Sequence, residues 1–171
     1  MEGEIKAAFS AELSRIEEDC IHSAKAHFNA GARLGCLHWM LGGSAAVASA
    51  LAGASLFADF PIISGVLALV AAVLTSLVTF LKPSERAAKH QDAGNQYLAV
   101  RGEARRLRLL FLPQWQNADD ARDAVESVAE RHSDLNRAAL PFTRGDFEKA
   151  RKGIDEGEAS YAIDQNAHVD Q

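Results

Sequence analysis

The stretch "LFADFPII", residues 56–63, holds the one charged side chain in a run of 48 residues. From Leu34 to Leu81 every residue is uncharged except Asp59, and Pro61 follows two positions later. A carboxylate is costly in an apolar medium, and the residue before a proline is pushed out of helical geometry. Both penalties disappear where a chain reverses at a polar boundary. Asp59 and Pro61 therefore predict the tip of a tight helical hairpin, with residues 59–61 as its turn.

On either side of that tip the chain is apolar for the length of a membrane span. Residues 34–58, "LGCLHWMLGGSAAVASALAGASLFA", run 25 positions without a charge, and residues 62–81, "IISGVLALVAAVLTSLVTFL", run 20. At ~1.5 Å of rise per residue, each is long enough for a hydrocarbon core of roughly 30 Å. The expected fold is an all-α membrane protein, a two-span transmembrane helical hairpin extended by long cytoplasmic helices. A rival is a soluble protein that buries such a hairpin in a jacket of amphipathic helices. Two helices apolar on every face need many partners, and this chain offers only about four flanking segments, so lipid is the better solvent for them.

The flanks set an orientation. Lys25 and Arg33 precede the first span, Lys82, Arg86 and Lys89 follow the second, and the connecting turn carries only Asp59. The positive-inside rule then places both termini in the cytoplasm. Trp39 and Phe80 lie near that interface, Phe57 and Phe60 near the other, and His38 reads as an interface residue one turn from Arg33.

Composition agrees with this three-part division. Of 41 charged residues, 40 lie outside positions 34–81, giving a polar head, an apolar middle and a polar tail. Cys20 and Cys36 make no paired motif, so a reducing compartment is expected. The apolar run begins at residue 34 behind acidic Glu17, Glu18 and Asp19, unlike a cleavable signal peptide.

Both spans carry small residues at every fourth position: Gly42, Ala46, Ala50 and Ala54 on the first, Ser64, Ala68, Ala72 and Ser76 on the second. Such stripes let backbones approach closely in lipid. They serve either packing within one hairpin or association between copies. The hydroxyls Ser44, Ser49, Thr75 and Thr79 are candidate pore-lining groups of an oligomer, since two spans alone cannot enclose a pore.

Residues 1–33 form the N-terminal cytoplasmic segment. Within it a helix is expected from residue 4, with Phe9, Leu13, Ile16, Cys20, Ala24 and His27 on its apolar face. Residues 82–159 form a second cytoplasmic helical region. Pro83 suits a first helical turn, and Ala93, Tyr97, Val100, Ala104, Leu107 and Phe111 make a heptad-like seam. The two long helices are expected to pair antiparallel. Pro113 ends the second, and Asn117 caps another carrying Ala121, Val125, Val128, His132 and Leu135. A final helix spans about 143–158, and a polar, flexible tail is expected over 160–171. Residues 82–110 carry a net charge of +4 and residues 111–171 a net −6, so the C-terminal helices are expected to pack back over the basic one.

The chain is acidic overall, at a formal −5, which argues against a nucleic-acid polymer as partner. No nucleophile elbow, phosphate loop, HExxH or paired-cysteine site occurs, so neither catalysis nor a cofactor or metal is expected. The six histidines are scattered. His22 and His27 fall on different faces, and His90 and Asp92 read as a solvated helix face.

The helix "IEEDCIHSAKAHFNAGARL" entering the first span, the short turn, "LKPSERAAKHQDAGNQYLAVRGEARR" leaving the second span and the later "RGDFEKARKGIDEGEASY" resemble the SLATT proteins. These are two-span bacterial membrane effectors found beside nucleotide-signalling enzymes and sensor domains. The resemblance covers residues 5–161 and implies an inner-membrane effector of an anti-phage conflict system, one that disrupts the membrane when a signal arrives. It implies no catalytic residues. It also implies a lipid bilayer and further copies of the chain as partners, with a signalling nucleotide or a separate sensor protein as trigger. The alternative is a non-enzymatic anchor or scaffold whose cytoplasmic bundle docks a partner protein.

Overall fold

The computed structural model describes residues 2–160. Every regular element among them is helical. Helix α1 spans Glu2–Phe57, α2 Pro61–Leu81 and α3 Pro83–Arg106. A π-helical turn, Leu107–Phe111, and a 3-10 turn, Leu112–Gln114, lead to α4, Ala118–Ala138, and α5, Arg144–Asp155. The tail expected beyond residue 160 lies outside the described residues. The chain divides into two compact units. One takes residues up to Ala30 together with those from His90 onward, and the other is Gly31–Lys89.

The first unit has its own apolar core. Leu13, Ile16, Cys20 and Ala24 of α1 pack with Tyr97, Val100 and Ala104 of α3 and with Ala121, Val125 and Val128 of α4. Each set repeats at three- and four-residue steps, so each helix buries one face. Glu17 meets Arg108 and His27 meets His90, so α1 and α3 run antiparallel here. The ring of Phe28 lies against the backbone of Gly94, where an added Cβ would fall 2.6 Å from Phe28 Cε1. Tyr97 Oη donates to Asn136 Oδ1 of α4 at 2.8 Å. Asn29 Nδ2 donates to the carbonyl of Asp146, on α5, at 3.1 Å. Asn117 caps α4 through the amide of Asp119. Thr143 and Asp146 form a reciprocal capping box at the start of α5.

The seam of α3 departs from its expected course at one point. A regular helix would carry the burial from Leu107 to Phe111, yet Phe111 is 53 % exposed and Leu112 only 3 %. The π-helical turn accommodates one extra residue, so the buried face passes to Leu112. Leu109, Leu110 and Phe111 are left facing outward.

His90, expected on a solvated face, is instead buried and meets His27, while Asp92 is exposed and accepts a hydrogen bond from Gln96. His90 lies seven residues before Tyr97, one heptad back along the same seam.

Candidate functional site

The second unit centres on α1 from Gly31 onward, α2 and the turn between them. That turn follows from local backbone chemistry. Asp59 adopts φ 61°, the left-handed region. Its amide donates to the carbonyl of Leu56 at 3.3 Å, and the amide of Phe60 donates to that of Ser55 at 2.9 Å. These two bonds are a Schellman motif, which satisfies carbonyls that a helix end leaves bare. Asp tolerates the left-handed region better than most residues. Pro61 then occupies the first helical turn of α2, where a missing N–H costs nothing. Pro61 is therefore the first residue of α2 and lies outside the turn proper.

The other end of α2 closes with the simpler left-handed cap: Lys82 has φ 47° and its amide donates to the carbonyl of Val78 at 3.0 Å, after which Pro83, which has no N–H for a second capping bond, opens α3. Arg86, Lys89 and Lys82 are all exposed.

Across the turn, the hydroxyl of Ser64 on α2 donates to the carbonyl of Ala52 on α1 at 2.8 Å. The faces around this bond follow alternating steps of three and four. On α1 the buried residues are Leu34, Ala45, Ala48 and Ala52, and on α2 Ala71 is buried with Ser64, Leu67, Leu74 and Val78 half-buried around it. This differs from the every-fourth stripes. Gly42 and Ser64 are half-buried, whereas Ala46, Ala50, Ala54, Ala68, Ala72 and Ser76 are exposed. The reason is geometric. A strict four-residue step turns about 40° at each repeat, so such a row winds off the facing helix, while three–four alternation stays on it. Ala45, Ala48 and Ala52 are the buried alanines of this part of α1, Ala52 accepting from Ser64, and the Ala46–Ala50–Ala54 row is exposed.

The candidate pore-lining hydroxyls Ser44, Ser49, Thr75 and Thr79 are likewise exposed. Thr79 donates to the carbonyl of Thr75 at 2.9 Å, Ser76 to that of Ala72 at 2.8 Å and Ser55 to that of Leu51 at 2.7 Å. These back-bonds let a hydroxyl sit in apolar surroundings without water.

The large apolar side chains of the two helices point outward. Phe57 is 92 % exposed, Phe80 86 % and Ile62 82 %, and Trp39, Val47, Leu51, Val66 and Leu69 are also exposed. Over the most apolar 18-residue stretch of each, only 17 % of α1 and 6 % of α2 is buried. Two helices are thus long and apolar enough to cross a membrane, and both leave that apolar surface uncovered.

Sequence reasoning missed the polar centre of the first unit. His27 Nδ1 and His90 Nδ1 lie 2.9 Å apart in its interior. Burial, and then the facing His90, push His27 down from its ordinary 6.5 to about 4. Nearby, burial raises the Cys20 thiol to about 12, chiefly through desolvation and then through Asp19. Such a thiol is inert at neutral pH. Arg108 reaches Glu17 with two bonds, Nε–Oε1 at 2.7 Å and Nη2–Oε2 at 3.3 Å, and that contact holds its guanidinium above the usual value.

No family model, no curated protein and no solved structure matches the chain.

Proposed function

We propose that this chain is an oligomeric effector of the bacterial inner membrane whose apolar helices cross the bilayer as a hairpin, with both termini in the cytoplasm. Copies associate through the row of half-buried Gly42 and exposed Ala46, Ala50 and Ala54, and on activation the assembly breaches the membrane, as a pore or by general disruption. The observation that carries this reading is the outward-facing apolar surface of α1 and α2. A core helix of a soluble protein is mostly buried, and these are not. Lipid is the solvent in which Phe57, Ile62 and Phe80 cost nothing when exposed. The outward small-residue row supports close approach of a second copy, because the row is not consumed by packing within one chain. The resemblance to SLATT proteins supports a place in an anti-phage conflict system, triggered by a signalling nucleotide or a separate sensor protein.

Overproduction in a bacterial host tests it directly. Growth arrest with entry of a membrane-impermeant dye is expected, and Ala46→Leu with Ala50→Leu should reduce both, together with oligomer size. Full toxicity and unchanged oligomer size in that double variant would refute the assembly surface.

The separate core of the first unit favours a second reading, an anchored scaffold whose cytoplasmic bundle docks a partner protein. Exchanging residues 34–81 for an unrelated two-span hairpin separates the two. A scaffold keeps its activity, and an effector loses it.

A further inference from the structure

His27 and His90 stand where the chain leaves the first unit after Ala30 and re-enters it at His90. Their side chains are 1 % and 2 % exposed. Their Nδ1 atoms are 2.9 Å apart and their ring centroids 5.1 Å. At that separation one Nδ1 carries a proton and donates while the other accepts. The walls around His27 come from other elements of the unit. Tyr97 of α3 stacks on it at 5.5 Å and 24°, and Phe142, just before α5, meets it edge-on at 5.2 Å and 85°. One imidazole thus touches α3 and the segment leading to α5 while belonging to α1.

The ionisable groups around the pair come from every helix of the unit. On α1 these are Cys20 and Lys25, the latter paired with Glu158 beyond α5. On α3 they are Tyr97, and Asp92, which is exposed and holds Gln96. On α4, His132 lies 6.4 Å from the Tyr97 ring. On α5, buried Asp146 receives the amide and hydroxyl of Thr143 at 3.0 and 2.7 Å, and its own carbonyl receives Asn29. A proton added to one imidazole leaves the other as acceptor, so the contact tolerates it. A second proton does not fit: two Nδ1–H groups would face each other at hydrogen-bond distance with no acceptor between them, and two buried cations would repel.

We propose that the His27–His90 contact is a proton-operated clasp, which holds α1 to α3 and to the segment before α5 until both imidazoles are protonated, and then releases them. The clasp belongs to the first unit and does not depend on what the apolar helices do.

Cys20, two turns before His27 and fully buried, reports the release. The experiment uses the full chain in detergent micelles with exposed Cys36 changed to Ser, and 4,4′-dithiodipyridine, a thiol reagent that still reacts in acid. Labelling of Cys20, measured relative to the same chain denatured, is expected to rise at least tenfold and reversibly between pH 7 and pH 4.5. His27→Gln keeps an amide that can face His90 and takes no proton, so its protection should stay flat over that range. A flat wild type overturns the clasp, and so does an equal rise in His27→Gln, which would assign the acid opening to Asp146 or another carboxylate. If His27→Gln is open already at pH 7, ¹⁵N-histidine spectra of the wild type decide instead. His27 staying neutral below pH 5 until Cys20 opens supports the clasp, and ordinary titration near 6.5 with Cys20 still protected overturns it.

Discussion

Ser64 and Ala52 are joined by a hydrogen bond across the turn, hydroxyl to backbone carbonyl, at 2.8 Å. Ala52 is buried on α1 and Ser64 half-buried on α2, so the bond lies on the contact face of the pair. The carbonyl of Ala52 also has its own helical partner to serve, so the hydroxyl takes its second lone pair. The bond therefore adds to the pairing without breaking either helix.

Ser64→Ala should weaken the pair by about 0.6 kcal/mol, the typical worth of such a bond between apolar helices in lipid. Ala48→Leu or Ala52→Leu should cost more, about 1–3 kcal/mol, because added methylenes cannot fit a closed contact. Ala46→Leu, on the outward row, should leave this intrachain stability within about 0.5 kcal/mol of the wild type. Denaturant titration of the purified monomer in detergent measures all of these. Equal losses at Ala46 and Ala48 would contradict the assignment of faces.

Much of this architecture is legible in the sequence because single residues punctuate it. Asp59 and Pro61 mark the reversal, Pro83 marks the start of α3, and Asn117 and Thr143 mark the later caps. Leu13, Ile16, Cys20 and Ala24, and Tyr97, Val100, Ala104 and Leu107, keep their spacing through to burial. What failed has three separate causes. The π-helical turn shifts the seam from Phe111 to Leu112. The small residues are so dense on the first span that every-fourth and three–four rows both exist, and only contact chooses between them. His90 sits in the polar run "KHQDA", which hid its place one heptad before Tyr97.

The π-helical turn makes a sharp contrast between neighbours. Leu112→Ala removes a buried side chain and should destabilise the first unit by about 2–5 kcal/mol. Phe111→Ala removes an exposed ring and should change stability by less than about 0.5 kcal/mol. Thermal unfolding followed at 222 nm compares them. The reverse order would mean that the α-helical seam continues to Phe111.

Arg108 and Glu17 form a two-bond pair whose side chains are 27 % and 14 % exposed. Breaking it by Glu17→Gln leaves a partly desolvated guanidinium with a weaker partner, at a cost of about 1–2 kcal/mol. Glu12 and Arg15, one turn apart on α1 and well exposed, form a pair of the surface kind. Glu12→Gln should cost under about 0.5 kcal/mol. Salt sharpens the distinction, since 0.5 M NaCl should erase the Glu12 effect and leave most of the Glu17 effect. A double-mutant cycle with Arg108→Gln that returns no coupling would remove the pair from the account.

His27 sets a direction for stability against pH. Its folded value, about 4, is below its ordinary 6.5, so the folded state favours the neutral form. Above about pH 6.5 neither state binds the proton, and the contribution is fully present. Between 6.5 and 4 the unfolded chain takes up a proton that the folded chain refuses, so stability falls as pH falls. Below 4 both states are protonated and the loss stops growing. The slope for one proton is about 1.4 kcal/mol per pH unit, so moving from pH 7 to pH 5 should remove about 2 kcal/mol. Urea titrations at those two pH values, run on the wild type and on His27→Gln, measure the difference. The variant should lose this part of the slope and keep whatever the carboxylates contribute. Equal slopes in the two proteins would show that His27 is not the group that takes the proton.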